Sequence, residues 1–215
     1  MMRNQQPHIM IRLLIAMAFI AGVMGCGDSN VETIDRGESA HQKTTEQPGG
    51  QQAQETDGAT AVASGVTWTV PSDWEIGPER TMRIATYLIG GSTSNTDCAV
   101  FYFGPGQGGA VQANIDRWIG QFKQPDGSPS SEAAAVAERE IAGLHVTTID
   151  LSGTYTASMG GPMSGQTEDR PKWRMLGAIV EAPNGPVFFK LTGPEATVDA
   201  ATHDFQLMLS SLQET

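Results

Sequence analysis

Thirteen of the chain's 14 aromatic side chains fall between Trp68 and Phe205, and the other, Phe19, sits alone near the N-terminus. Rings of that size are useful mainly inside a packed core, so their distribution confines the folded unit to residues 65–215. About 150 residues remain there, enough for a single core to bury about 70% of the surface that the unfolded chain exposes. One domain is expected, with no partner needed for folding.

Within that stretch the apolar period changes along the chain. Residues 66–70 alternate and are closed by Pro71, as expected of a strand with one buried face. A second strand-like run covers 83–89 and ends at Gly90-Gly91, and a third covers 98–103. Then Val111, Ile115, Trp118, Ile119 and Phe122 recur at helical spacing, with Gln112, Asp116, Gln121 and Lys123 off that face. Burying those five side chains would contribute on the order of 10 kcal/mol before entropy is counted.

After turn-rich residues 124–129, two hairpins are expected. The first joins 136–141 to 144–151 through Ala142-Gly143, and the second joins 173–181 to 187–192 through Pro183-Asn184-Gly185. Residues 156–172, rich in Gly and carrying Met159 and Met163, read as a long loop between them. A closing helix follows Gly193-Pro194, with Val198, Ala201, Phe205, Met208, Leu209 and Leu212 on one face. The order implies an α+β domain: a mainly antiparallel sheet of about six or seven strands packed with two amphipathic helices.

At its start the chain has a different character. Arg3 and Arg12 precede an apolar stretch over residues 13–25, the order of an export signal, and about 20 residues would be needed to span a bilayer. Val23-Met24-Gly25-Cys26 resembles the lipobox of bacterial lipoproteins, with Met24 where a small residue is usual. The resemblance implies signal-peptidase recognition through Val23, Met24 and Gly25, cleavage of residues 1–25, and acylation of Cys26. An ordinary secretory cleavage at Ala16-Met17-Ala18 is the alternative. Buried acyl methylenes hold a protein to a bilayer by about 0.8 kcal/mol each, so two or more chains make a durable anchor. Gly27, not an acid, follows the cysteine, which favours an outer-membrane address.

Residues 26–64 then form the lipidated N-terminus and a linker. Val31, Ile34 and Val62 are its only large aliphatic residues, too few to offset the entropy of ordering it. A flexible tether of about 35 Å root-mean-square reach is expected.

From Val66 to Leu212 the succession of elements resembles the PsbP-like superfamily. The features that carry the likeness are the opening strand into Val70-Pro71-Ser72-Asp73-Trp74, the mid-chain helix, the strand from Val187 to Leu191 and the closing helix. Members of that fold are mostly non-enzymatic binding or assembly-assisting modules, which is what the resemblance implies here, although fold alone does not select a role.

The candidate chemical motifs each meet a simpler explanation. Gly104-Pro105-Gly106-Gln107-Gly108-Gly109 satisfies G-x-G-x-x-G between a strand and a helix, yet the flanking strands look antiparallel and no acid ends a second parallel strand. A tight turn is expected, with no cofactor; a minor anion site at that helix start is the alternative. Ser164 lies in Gly161-Pro162-Met163-Ser164-Gly165, one place away from a nucleophile elbow and in a loop. Glu138 and Glu140 share a strand face that reads as solvated. His41, His145 and His203 are scattered, so no metal site is expected. If Cys26 carries lipid, Cys98 stands alone in the apolar run 98–103 and reads as a small buried hydrophobe.

A net charge of −11 becomes −13 without residues 1–25, which hold Arg3 and Arg12 and no acid. Such a surface repels nucleic acid. The densest basic group, Arg170, Lys172 and Arg174, adjoins Glu168 and Asp169 and reads as locally paired. The resulting expectation is an envelope lipoprotein, held to the membrane through its N-terminal lipid. Its domain binds a protein or small ligand without catalysis; an envelope hydrolase and a structural spacer are the alternatives.

Overall fold

A computed structural model describes residues 58–91, 93–159 and 165–215, all of which belong to the unit Gln51–Thr215. Eleven strands and three helices lie among them. They are β1 (Thr60–Ala63), β2 (Val66–Thr69), β3 (Glu75–Ile76), β4 (Ala85–Leu88), β5 (Asp97–Tyr102), α1 (Val111–Ile119), β6 (Phe122–Lys123), α2 (Ser130–Ala133), β7 (Ala135–Ile141), β8 (Leu144–Met159), β9 (Gln166–Glu181), β10 (Val187–Pro194), α3 (Glu195–Ser210) and β11 (Gln213–Glu214). The class is the expected α+β. One sheet runs β3-β4-β5-β10-β9-β8-β6 with β7 also on β8, a smaller one runs β1-β2-β11, and every pairing is antiparallel. No described helix is long and apolar enough to cross a membrane.

The centre of the large sheet is buried on both faces. In β10 the odd-numbered Val187, Phe189 and Leu191 join the core under α3 and β2, with Val198, Phe205, Met208 and Trp68. The even-numbered Phe188 joins a second core under α1, with Ile115, Trp118, Ile149 and Met175. Such burial explains why β10 and the end of β9 read as nearly continuous apolar runs, since strand residues alternate between faces and both faces are covered here. The helix α1 approaches β9 closely at Gly177, where an added Cβ would come within 2.6 Å of Trp118.

Most expected elements are present with shifted bounds, and four expectations need correction. The loop over 156–172 is largely strand: β8 and β9 pair beyond the core, with Thr156 opposite Asp169 and Met159 opposite Gln166. The pairing is held by polar contacts, Thr156 Oγ1 donating to Asp169 (2.9 Å) and Lys123 Nζ to the same carboxylate (2.8 Å). A two-stranded ribbon held in this way leaves no apolar periodicity in the sequence. Phe122 lies not on the helix but on β6, because α1 stops at Gly120. One helical turn, α2, follows the turn-rich stretch and precedes β7, where no element was expected. Finally β1 lies within the stretch read as tether, and the folded residues reach back to Thr60; its one large aliphatic, Val62, is 67% exposed and carries no burial signal.

The hairpin turn at Ala142-Gly143 shows why the first hairpin is legible. Its φ values are 48° and 81°, and two consecutive left-handed residues match the twist of a two-residue hairpin. Between Gly153 and Tyr155 the β8–β9 register shifts. A bulge of that kind bends a strand and re-aims its side chains.

Candidate functional site

On the α1 side the sheet is covered only in part. Next to α1 an open cleft of about 490 Å³ lies over β4, β5, β10 and the extended β8–β9 ribbon. The antiparallel register determines its floor. Thr192 of β10 faces Asp97 of β5 and Met175 of β9, while Lys190 faces Ala99 and Gly177. The space at Gly177 is filled by the Trp118 ring of α1, and Lys190 lies on the same face of the sheet.

Lys190 is 9% exposed. Its ammonium donates to Gln121 Oε1 and lies 5.2 Å from the centre of the Tyr155 ring. Burial pushes the amine down to about 7; Asp97 pulls it back up, and Arg83 and Arg117 push it further down. Loss of hydration disfavours the charged form of a buried amine, which accounts for the direction. A smaller cavity of about 180 Å³, between Phe101, Trp118 and Phe188, meets the same lysine and shares Gln121 with the cleft.

The walls of the cleft carry three arginines. Arg83 donates to Asp97 at 2.6 Å and lies over the Phe101 ring at 5.8 Å. Arg170 pairs with Glu168 at 2.8 Å and lies 4.8 Å over Trp173, which in turn stacks on Tyr155 with 5.5 Å between centroids and 11° between planes. Arg80 lines the opening and is exposed. Thr96 lies behind the wall at 1% exposure; its hydroxyl has no hydrogen-bond partner and fills the space beside Gly193, 2.2 Å from where a Cβ there would stand. Such groups are uncommon in native structures, because an unmade buried hydrogen bond costs about 1–3 kcal/mol.

The residues singled out in the sequence lie elsewhere. Cys26 and its neighbours Val23, Met24 and Gly25 fall outside the described residues, as do His41, Met163 and Ser164. His145 and His203 are exposed on β8 and α3, and Glu138 and Glu140 are exposed on β7. Cys98 is fully buried and burial pushes its thiol up. That environment holds the sulfur as the unreactive thiol. The glycine-rich segment is a turn between β5 and α1 with positive φ at Gly104, Gly106, Gly108 and Gly109. Its end is closed by Asn114, whose amide donates to the carbonyls of Gly108 (2.8 Å) and Ala110 (2.9 Å). Among the described residues no three His, Cys, Asp or Glu side chains are grouped to hold a metal ion.

The basic group 170–174 divides. Arg170 pairs with Glu168, as local pairing predicts, and also reaches the cleft, whereas Arg174 bridges Asp150 of β8 (2.7 Å) and Asp199 of α3 (2.5 Å). Sequence reasoning missed Lys190, Thr96, Arg80 and Arg83 altogether. Lys190 left one signal, as the only charge inside the apolar run 187–191.

No protein-family description matches this chain, and no curated protein matches it in sequence. Among solved structures it is similar to cyanobacterial PsbP from Synechocystis, with TM-score 0.46, 11% identity, and coverage of 78% of this chain and 98% of that one. It is also similar to a protein of Bacteroides thetaiotaomicron, with TM-score 0.36, 12% identity, and coverage of 74% and 48%. A third likeness is to LpqN, involved in cell envelope biogenesis of Mycobacterium tuberculosis, with TM-score 0.39, 9% identity, and coverage of 75% and 87%. These are distant likenesses from which no activity, ligand or partner follows.

Proposed function

We propose that this chain is a cell-envelope lipoprotein, held at the outer membrane by acyl chains on Cys26, whose domain is a non-catalytic binding module using the cleft beside α1. The cleft itself carries the reading. It has the size of a small-molecule site, and its walls hold polar groups with unused hydrogen-bonding capacity: Arg80 and the remaining N–H groups of Arg83. A spacer has no use for such a hollow, and filling it would stabilise a domain whose only task was to fold.

Two experiments test the two halves of the proposal. Metabolic fatty-acid labelling should mark the native chain and not Cys26→Ser; equal labelling of both refutes the anchor. Pull-down from detergent extracts should recover a partner with the native chain, less with Ser158→Trp, which fills the cleft, and none with a tether-only control. Equal recovery by all three refutes the binding role.

A further inference from the structure

The cleft differs in sign from the rest of the molecule. In a chain of net charge −11, Arg80, Arg83 and Arg170 line one hollow against a single lining carboxylate, Asp97. Lys190 stands behind Gln121, its amine pushed down to about 7 by burial and cationic only when protonated. Asp97 occupies one N–H of Arg83, and Glu168 accepts from Arg170 at the rim. Arg80 has no ion pair or side-chain hydrogen bond among the described residues.

We propose that this cleft binds an oxyanionic group, phosphate or carboxylate, presented by a free solute or by a lipid headgroup. The proposal rests on the binding role argued above and adds the chemistry of what is bound. Guanidinium groups offer planar, paired N–H donors that match the oxygens of both anions, and such charge-assisted bonds are about twice as strong as neutral ones. Low-dielectric walls strengthen the field of the arginines inside the cleft relative to open solvent. The Asp97 carboxylate repels an anion, so the ligand lies toward Arg80 and Arg170, away from the Arg83–Asp97 pair. A cleft of about 490 Å³ holds a small molecule or one headgroup.

Lys190 gives the proposal a second readout. The titratable and charged groups that face it are Asp97, Tyr155, Arg83 and Arg117. An arriving anion adds negative charge to that set and favours the protonated amine. Above neutral pH, binding therefore takes up a proton.

The test uses the full-length Cys26→Ser chain at low salt, titrated calorimetrically with inorganic pyrophosphate and with citrate, and with glucose as the neutral control. In parallel it is floated with vesicles of phosphatidylcholine alone or mixed with phosphatidylglycerol. Saturable binding of an anion is expected, weakened about tenfold by Arg80→Gln with an unchanged melting temperature. At pH 8 its enthalpy should vary with the ionisation heat of the buffer. Binding of the soluble anions identifies a free solute; an Arg80-dependent preference for the anionic vesicles alone identifies a headgroup. The proposal is overturned if neither anion nor anionic vesicle binds, or if binding survives Arg80→Gln combined with Arg170→Gln. If the anions fail while Ser158→Trp still diminishes partner recovery, the ligand class falls and the binding role stands.

Discussion

Replacing Lys190 with methionine removes an ammonium that folding strips of water and leaves a side chain of similar length in its place. The amine falls from 10.5 to about 7 on folding, and each unit of difference corresponds to about 1.4 kcal/mol. The unfolded chain therefore holds this proton over a range in which the folded chain does not. Below pH 7 both states are protonated and the full cost, about 5 kcal/mol, weighs against folding. As pH rises from 7 toward 10.5 the folded amine is already neutral and the unfolded one is not yet, so the cost is progressively relieved and stability rises. Cys98 and Tyr155 are pushed up by burial and act the other way at alkaline pH. They are common to both proteins, so the difference between native chain and Lys190→Met isolates the lysine. Urea unfolding is readily followed by emission, because Trp68, Trp74, Trp118 and Trp173 are all buried. Lys190→Met should be the more stable protein near neutrality, and its advantage should shrink by about 3 kcal/mol between pH 6.5 and pH 9.5. An advantage that stays constant across that range would refute the claim that this amine is desolvated.

Two other perturbations probe the packing around the same site. Gly177→Ala places a Cβ 2.6 Å from Trp118 and 2.8 Å from Ile149; α1 must move off the sheet, and a loss of about 1–3 kcal/mol is expected in urea unfolding, with unchanged stability as the contrary result. Thr96→Val removes the partnerless hydroxyl while keeping the side-chain shape, so the melting temperature should hold or rise by the equivalent of about 1 kcal/mol, whereas a clear drop would show that the hydroxyl is satisfied after all.

How legible the fold is depends on what each segment buries. The helix α1, the hairpin through Ala142-Gly143 and the closing helix α3 can be read from spacing and turn chemistry, because each presents an apolar face or a specific backbone conformation. The ribbon beyond Tyr155 cannot, since Thr156 and Lys123 on Asp169 and Arg170 on Glu168 hold it, and Ala157 is the one residue it buries among the described ones. The strand β1 escapes notice because only the small Ala61 and Ala63 of its four residues pack against the core. Around the cleft, Arg80 and Arg83 come from the approach to β4, Thr96 from the turn before β5 and Asp97 from the start of that strand, Arg170 and Trp173 from β9 and Thr192 from β10, with Lys190 of β10 behind Gln121. No spacing in the sequence relates residues brought together by strand pairing across such separations.

From the sequence alone came the aromatic-bearing folding unit, the α+β class and the expectation that Cys26 is the anchor, since each rests on composition, periodicity or a contiguous motif. The tertiary structure decided where a ligand could sit. Antiparallel register set Lys190 between Ala99 and Gly177, and partial coverage by α1 left the neighbouring face open. A charge that is ordinary in the chain became a buried amine beside a cationic cleft, because burial and neighbours, which only the fold supplies, determine what an ionisable group does.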